Sequence, residues 1–391
     1  MVTFFSAIGS TMVLSFFPIF MINSLHFSPK QIGWVEGCMV LSTYVSKCCA
    51  GVLTDIIRRR KTLIVAGTAL SIMSKSLFIV VSGFGSLLLA SCFDRWAKGL
   101  RTCPTDAMIG DLEGQKSSRA GFFAKHAAML TGSTCGALIT TFCLKKATVP
   151  EQILLPLAVL PCLFAFATAQ WGLREGPSPR REAQSWAWTD LHVRKLFTFR
   201  FCRLLGLFFL ISLGRFGMTF ACRKALECGI PADHWPLASL SYDLVTAFTA
   251  LVCGWRVQRI RTFVWEAQLL RAGLLIQSCA HLLFFLATGP VCIYTAITLS
   301  GVHMGMTYGI MLSMVAAASK PANRGTALAI AYITMGLGIF CSNQIAGWLC
   351  EWSTRAPFAF GAVLCLGVIV LYRSPKQNLL RRLRTGSRPL S

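Results

Sequence analysis

The fold is decided by Gly51-Val-Leu-Thr-Asp55-Ile-Ile-Arg58-Arg59-Arg60-Lys61, an acidic and then strongly basic stretch that joins two long apolar segments. The segment before it covers about residues 32–54, and the one after it covers about residues 62–82. At about 1.5 Å per helical residue, each is long enough to cross the hydrocarbon core of a bilayer. Consecutive cations between two such helices predict a loop on the cytoplasmic side of a membrane.

The composition of the whole chain agrees with this interpretation. Hydrophobic residues make up 54% of the 391 residues, charged residues make up 14%, and the mean hydropathy is +0.60. This balance is typical of an integral membrane protein and excludes an ordinary soluble globular domain. Apolar runs predict twelve transmembrane helices, at about residues 2–24, 32–54, 62–82, 85–108, 120–144, 151–173, 198–221, 236–255, 263–287, 290–316, 325–349 and 356–372.

The positive charges are distributed unevenly between the two sides of this predicted bundle. Most Lys and Arg residues outside the spans lie on the side of Arg58–Lys61, including the basic tail at residues 374–391. The positive-inside rule therefore predicts that both termini are cytoplasmic. It also explains the net charge of +23, which we assign to basic loops of a membrane protein rather than to nucleic-acid binding.

Neither a cofactor nor a metal is predicted. The 17 Cys residues lie mostly inside apolar runs and do not show the paired spacing of a metal site. Nucleophilic triads, metal-ligand clusters and phosphate-binding loops do not occur at convincing spacing either, and twelve spans leave no room for a soluble catalytic domain. We therefore expect a protein that is not an enzyme.

Landmarks of the first half recur in the second half at nearly one offset. Gly51 corresponds to Gly254, Arg119 to Arg324, and Gly132 to Gly336. This repetition predicts two six-helix halves in parallel repeat. The predicted organisation is an N-terminal six-helix bundle at 1–173, a cytoplasmic linker at 174–196, a C-terminal six-helix bundle at 197–373 and a basic tail at 374–391.

The order of Gly51-x-x-x-Asp55 and then Arg58-Arg59-Arg60-Lys61 resembles the signature loop between helices 2 and 3 of the major facilitator superfamily of secondary transporters. One departure is Ile56, because the family usually has Arg directly after the Asp. The resemblance implies an all-α integral membrane protein with twelve transmembrane helices in two six-helix parallel repeats. It also implies a cytoplasmic gate, which we expect at Gly51, Asp55, Arg58, Arg59, Arg60 and Arg324.

The predicted gate contact joins Asp55 to a neighbouring helix. A carboxylate at the cytoplasmic face is attracted to the positive N-terminal end of a helix, and the eleventh span is predicted to start near Gly325. The second copy of the loop has Gln258 where the first has Asp55, so only the first copy carries an acid. The alternative is that Asp55 only neutralises the cations of its own loop.

The fourth span is unusually rich in charge. Its sequence Asp94-Arg95-x-x-Lys98-Gly99-x-Arg101-Thr102-x-Pro104-x-Asp106-Ala107 resembles a span-4 signature of a widespread prokaryotic branch of the superfamily. Charges inside a membrane are costly and therefore face a bundle interior or an aqueous cavity. The alternative for any one of them is internal pairing, for example of Asp94 with Lys98 one turn on.

Intramembrane charges supply the candidate functional residues. We predict that a solute is bound and translocated by Lys47, Lys75, Arg95, Lys98, Arg101 and Arg215, and that coupling uses Glu36, Asp94, His126 and Asp243. Cations exceed acids in the first half, so the cavity should favour an anionic or zwitterionic solute over a cationic drug. Histidine is the side-chain type that can change its charge near neutral pH, and the predicted spans contain His126, His281 and His303.

These observations predict a transporter of a bacterial-type plasma membrane. We expect it to move a small polar, anionic solute by alternating access, coupled to protons or to exchange, and to work as a monomer in the lipid bilayer. One alternative is a drug or metabolite exporter with a more apolar cavity. Another is a receptor-like protein that retains the fold without transport.

Overall fold

The computed structural model describes residues 1–57, 59–110, 115–145, 151–173, 197–260, 263–319 and 324–371. These ranges are helical almost throughout. In chain order, the α-helices are α1 (Val2–Ile19), α2 (Pro29–Ile57), α3 (Arg60–Ile79), α4 (Phe84–Gly110), α5 (Gln115–Lys145), α6 (Glu151–Leu157), α7 (Val159–Gly172), α8 (Phe199–Leu213), α9 (Met218–Glu227), α10 (Trp235–Ile260), α11 (Phe263–Leu286), α12 (Pro290–Ala318), α13 (Arg324–Trp352) and α14 (Ala356–Leu371).

The helices follow the apolar runs of the sequence. Within the described residues, 8 helical segments are long and apolar enough to cross a membrane. Each predicted span coincides with one helix or with two consecutive helices, since α6 and α7 fill the sixth span and α8 and α9 fill the seventh. A π-helical turn at Phe20–Ser24 extends α1.

The seventh span differs from its prediction. The apolar run predicts one helix at about 198–221, but the structure interrupts this helix between Leu213 and Met218 and continues it to Glu227. Gly214 and Gly217 flank this interruption, and glycine is a weak helix former because it loses more backbone freedom than other residues.

Helices of the first half pack mainly on one another, and so do those of the second half. In residues 1–173, α1 packs on α5 and α7, while α4 packs on both α2 and α3. In residues 197–371, α12 packs on α10 and α11, α14 packs on α11, and α13 packs on α8. We call these sets the first group (α1–α7) and the second group (α8–α14).

Two glycines on α5 bring it close to α1. A Cβ built at Gly136 would lie 2.6 Å from the carbonyl oxygen of Ile8, and one built at Gly132 would lie 2.9 Å from the Cβ of Ala7. Neither position has space for a larger side chain. A Gly-x-x-x-Gly spacing favours such close helix packing, and Gly132 and Gly136 have this spacing.

The two groups meet along two helix pairs, α2 with α13 and α5 with α10. We name the end of the bundle that carries Arg59 the basic face, and the end that carries the α1–α2 turn the opposite face. Towards the opposite face, one apolar core includes buried residues of both groups. Members of this shared core include Phe16, Met21, Val35, Phe220, Trp235, Ala296 and Phe358.

A charged contact lies at the rim of the opposite face. Lys30 Nζ, at the start of α2, is 2.5 Å from the Glu351 carboxylate near the end of α13. Both side chains are partly exposed, and such ion pairs contribute about 0–1 kcal/mol. The shared apolar core therefore contributes more than this ion pair to holding the two groups together at the opposite face.

Part of the predicted gate lies outside the described residues. This applies to Arg58, to the side chains of Asp55 and Arg324, to the linker at 174–196 and to the tail at 374–391. The structure does show that α13 begins at Arg324, beside the predicted start at Gly325. The contact between Asp55 and this helix end stays a prediction.

Three other predicted gate residues are described. Arg59 is exposed between α2 and α3. Arg60 starts α3 and donates a hydrogen bond from its guanidinium to the carbonyl oxygen of Ala107 on α4 at 2.6 Å. Gly51 lies within α2, and the space around its Cα is open. This hydrogen bond of Arg60 joins the basic loop to α4.

Candidate functional site

A cavity of about 500 Å³ lies between the two helix groups. Its wall is formed by α1 and α2 on one side and by helices of the second group on the other. Charged groups on this wall are Glu36, Lys47, Arg215 and Asp243. Aromatic and other polar side chains complete it, among them Tyr44, Phe216, Trp235, Tyr242, Gln277, His281, His303, Met304 and Tyr308.

The interrupted helix places backbone polar groups beside this cavity. Irregular backbone at membrane depth is tolerated only where protein or a water-filled cavity satisfies it. The hydroxyl of Ser342 donates to the carbonyl oxygen of Leu213 at 2.7 Å, and the backbone N–H of Gly217 donates to Oδ1 of Asn343 at 2.7 Å. Both partners lie on α13, so this helix holds the interruption in place.

Glu36 caps the N-terminus of α9 from the other helix group. Its buried carboxylate accepts hydrogen bonds from the hydroxyl and the backbone N–H of Thr219 in the first turn of α9. The free N–H groups and the dipole of a helix N-terminus attract a negative charge. A Cβ at Gly217 would lie 2.6 Å from the Glu36 carboxyl carbon, so the close approach requires glycine at this position.

Arg215 lies in the interruption itself. One terminal nitrogen of its guanidinium is 2.7 Å from the sulfur of Met304, which is only a weak hydrogen-bond acceptor. The other terminal nitrogen, NH1, is buried and has no hydrogen-bond partner among the described residues. A guanidinium with free donors beside a cavity is suited to bind a carboxylate or phosphate through parallel hydrogen bonds.

Lys47 is held at the cavity by aromatic rings. Its Nζ lies 5.7 Å from the ring centroid of Tyr44 and 5.9 Å from that of Tyr332. The two rings stack on each other at 5.7 Å, and Tyr308 hydrogen-bonds to both of them. Cation–π contacts stabilise an ammonium group without neutralising it, so Lys47 keeps its positive charge available to a solute.

Asp243 is the accessible acid of the cavity. It lies on α10, and its side chain is exposed, whereas Glu36 is buried against α9. Lys98 of the first group is close enough to interact electrostatically with Asp243. Lys98 and Asp243 thus form a pair of opposite charges, one in each helix group.

Three other predicted residues form a buried ionic cluster inside the first group. The Asp94 carboxylate is 2.8 Å from Lys75 Nζ and 2.6 Å from a terminal nitrogen of Arg95. All three side chains are buried, and the cavity wall does not include them. Asp94 thus pairs with Lys75 and Arg95, the internal pairing considered above but with partners other than Lys98.

The remaining predicted residues lie apart from the cavity wall. Lys98 is half-buried on α4. Arg101 is buried, and its NH1 has no hydrogen-bond partner in the described part of the chain. His126 is exposed on α5. The structure therefore brings Glu36, Lys47, Arg215 and Asp243 together and leaves the other six outside the wall.

Several wall residues were missed by the sequence analysis. Gln277, Met304 and the tyrosines were not selected, and His281 and His303 were noted only as titratable groups. A signal was present, because glutamine and histidine are costly within apolar spans. The Gly214-Arg215-Phe216-Gly217 sequence was a second signal, since glycine-interrupted apolar segments point to transporter binding sites.

A metal centre is not formed by the described residues, which contain no group of three or more His, Cys, Asp or Glu side chains able to hold an ion. The two histidines of the wall are instead hydrogen-bonded to backbone carbonyls. What the cavity offers is hydrogen-bonding side chains, two cations and an accessible carboxylate, which is suited to reversible binding of a polar molecule.

Comparison with known proteins identifies relatives along the whole chain. The family model of the Major Facilitator Superfamily matches residues 1–290 and 229–388. An uncharacterized MFS-type transporter of Methanocaldococcus jannaschii is 25% identical over 383 residues, which cover 95% of this chain and 92% of that protein.

Solved structures of transporters share the fold. A mutant form of the nucleoside transporter NupG has a TM-score of 0.81 at 12% sequence identity, with 95% of this chain and 96% of that chain covered. A bacterial homolog of the human lysosomal transporter Spinster, in an inward-facing and occupied conformation, has a TM-score of 0.71 at 13% identity, with 94% and 92% covered. At these identities the likeness is one of fold.

Proposed function

The chain belongs to the major facilitator superfamily, and we propose that it carries a small polar anion across a membrane by alternating access. The family and its relatives establish a multi-pass membrane protein of the secondary transporter type, with no enzymatic activity. Members of this superfamily move small solutes and usually act as monomers. The anionic nature of the solute is our inference from the cavity.

The observation that carries this proposal is Arg215. Its guanidinium lies in the interrupted helix on the cavity wall, and none of the described acids forms an ion pair with it. Lys47 adds a second cation on the facing wall. A carboxylate or phosphate entering the cavity would supply the missing negative charge and accept two parallel hydrogen bonds from Arg215.

The packing supports a twelve-span arrangement in two repeats. The pairs α2–α13 and α5–α10, which join the two groups, correspond to each other under the numbering offset that relates Gly132 to Gly336. We assign the basic face to the cytoplasm of a bacterial plasma membrane because of its excess of Lys and Arg. The shared apolar core then closes the opposite face, which is the outer side of the membrane. This arrangement is therefore the inward-facing state of the transport cycle.

Asp243 is our proposed coupling residue. It is the accessible acid on the cavity wall, and Lys98, its electrostatic neighbour, belongs to the other helix group. Rearrangement of the groups would change the distance between these charges and hence the affinity of Asp243 for a proton. A proton-coupled cycle and an exchange cycle both remain consistent with this geometry.

Counterflow in proteoliposomes tests the proposal. Vesicles containing purified protein are loaded with an unlabelled carboxylate or phosphate ester, and uptake of the labelled compound is compared with uptake of its uncharged amide or alcohol. We expect saturable uptake for at least one anion and none for its uncharged analogue, and we expect Arg215→Gln to abolish it. Saturable uptake of cations or uncharged compounds alone would contradict the proposal.

A further inference from the structure

Three buried polar side chains form a cluster on the cavity wall next to Arg215. Gln277 and His281 lie one turn apart on α11, and His303 lies on the neighbouring α12. Their exposed fractions are 6%, 3% and 2%. Nδ1 of His281 and Nε2 of His303 have no hydrogen-bond partner among the residues that the structure describes. Unsatisfied polar atoms in such a buried position are costly and point to a ligand.

Backbone carbonyls determine what these free nitrogens offer. Nε2 of His281 lies 3.0 Å from the carbonyl oxygen of Gly214, and Nδ1 of His303 lies 2.9 Å from that of Gly273. A carbonyl oxygen only accepts hydrogen bonds, so each of these nitrogens carries a hydrogen and donates it. In the neutral imidazole the other ring nitrogen is then an acceptor. His281 and His303, both residues of the cavity wall, thus each have one buried acceptor nitrogen without a partner among the described residues.

Donors lie beside these acceptors. The side-chain amide nitrogen of Gln277 lies 3.0 Å from Nε2 of His281, and the amide oxygen has no partner among the described residues. The oxygen and nitrogen of a side-chain amide are assigned from their hydrogen bonds. Because Nε2 of His281 donates to Gly214, we exchange the two atoms, so that the oxygen faces Nε2 and the NH2 takes the position without a partner. Arg215, whose NH1 is also free, interacts electrostatically with His303. Donors and acceptors therefore alternate along this part of the wall.

The rings are held in fixed orientations. The His281 ring stacks on Phe216 with centroids 5.1 Å apart, and it packs near Phe358 at 6.2 Å. A Cβ at Gly361 would lie 2.8 Å from His281 Nε2, so α14 also confines the ring closely. Groups fixed before binding lose little conformational freedom on binding, which favours a specific ligand over an unspecific one.

Building on the proposed anion transport, we propose that the solute is a hydroxylated organic anion. Its carboxylate or phosphate binds Arg215, and its hydroxyl groups donate to Nδ1 of His281 and Nε2 of His303. A hydroxyl both donates and accepts, so it satisfies an imidazole nitrogen and a neighbouring amide or guanidinium donor together. An N–H group satisfies only the acceptor, and an alkyl chain satisfies neither.

Matched pairs of ligands test this inference with purified full-length protein. Each pair has the same charge and carbon number and differs in hydroxyl groups: gluconate and hexanoate, lactate and propionate, glycerol 3-phosphate and propyl phosphate. Binding is measured by isothermal titration and by the rise in unfolding temperature that a ligand causes. We expect the hydroxylated member of at least one pair to bind at least tenfold more tightly than its partner. The pair concerned tells whether the anionic group is a carboxylate or a phosphate.

Two variants of one residue separate ligand recognition from folding. His303→Asn keeps an amide donor near the position of Nδ1, so it retains the contact with Gly273 but removes the free acceptor. His303→Gln instead keeps a polar atom near the position of Nε2. We expect His303→Asn to reduce the preference for the hydroxylated member to less than threefold with little change in unfolding temperature, and His303→Gln to retain more of it.

The outcomes distinguish this inference from the proposed function. If both members of every pair bind equally well and Arg215→Gln abolishes both, the anion site stands and the hydroxyl inference is overturned. If no anion of any pair binds, both are overturned. If the preference is present but unchanged in His303→Asn, the assignment to the histidine cluster is overturned.

Discussion

The carboxylate of Glu36 on α2 caps the first turn of α9 through Thr219, so one buried acid of the first helix group is bonded to a helix end of the second. This bond lies between the cavity and the apolar core shared by both groups. A buried, charge-assisted hydrogen bond across two moving bodies stabilises the arrangement in which they are closed together.

We expect Glu36→Gln to favour opening of the opposite face. Loss of the charge should weaken the bond by about 1–3 kcal/mol, which shifts the balance between closed and open states by about fivefold to about 150-fold. Spin labels at Val80 and Val291, both exposed near this face in different groups, report the separation by pulsed electron resonance. The distance distribution should move to longer values.

Thr219→Val provides the graded control for that measurement. It removes the hydroxyl donor and leaves the backbone N–H of the same residue to bond Glu36, so its effect should have the same direction and a smaller size. An unchanged distance distribution in Glu36→Gln would show that the apolar core alone keeps the face closed.

A second prediction contrasts the two kinds of intramembrane acid. Asp94→Asn leaves Lys75 and Arg95 buried without a counter-charge, and breaking a buried ionic cluster in this way costs about 3–5 kcal/mol. Asp243→Asn changes an accessible side chain and should alter stability by about 0.5 kcal/mol or less. Unfolding temperatures in detergent compare the two variants directly.

Transport assays should also distinguish Asp243→Asn from Asp94→Asn. Asp243→Asn should abolish uphill accumulation driven by a pH gradient while preserving exchange of solute for solute. Asp94→Asn should lower both in proportion to the amount of folded protein. If Asp94→Asn is as stable as the unmodified protein and loses only uphill transport, Asp94 rather than Asp243 is the coupling residue.

The sequence made the helices predictable but not the direction in which their charges point. Hydropathy locates the spans because an apolar run of about twenty residues has few other structures available. The ion pair of Asp94 with Lys75 joins two different helices, whose relative position only tertiary packing determines. Arg215 was visible as a charge, but its role depended on the interruption of α8 and α9.

The close contacts between helices were likewise only partly predictable from the sequence. The spacing of Gly132 and Gly136 predicts close packing of α5, and the structure supplies α1 as its partner. The bonds of His281 and His303 to backbone carbonyls had no counterpart in the sequence pattern. They arise where an interrupted helix exposes a carbonyl and where α12 approaches Gly273, and both conditions are three-dimensional.

A third prediction concerns the two copies of the basic loop. Asp55→Asn should reduce transport severely without loss of folded protein, because it removes one charge from a moving interface at the predicted gate. Gln258→Asn, at the corresponding position of the second copy, should have little effect because it removes no charge. Initial rates of uptake in proteoliposomes check this, and equal effects at the two positions would disprove the asymmetry.

The central claim is that the solute's negative charge binds Arg215, while Arg95 is bound to Asp94. The most direct test measures the affinity of the carboxylate that the unmodified protein exchanges fastest, together with that of its uncharged primary amide, in Arg215→Lys and Arg95→Lys. Lysine keeps the charge but loses the two parallel hydrogen bonds. We predict that Arg215→Lys weakens carboxylate binding about tenfold and leaves the amide unchanged, and that Arg95→Lys changes neither affinity more than about twofold in folded protein. A loss of carboxylate affinity in Arg95→Lys with none in Arg215→Lys would contradict the account.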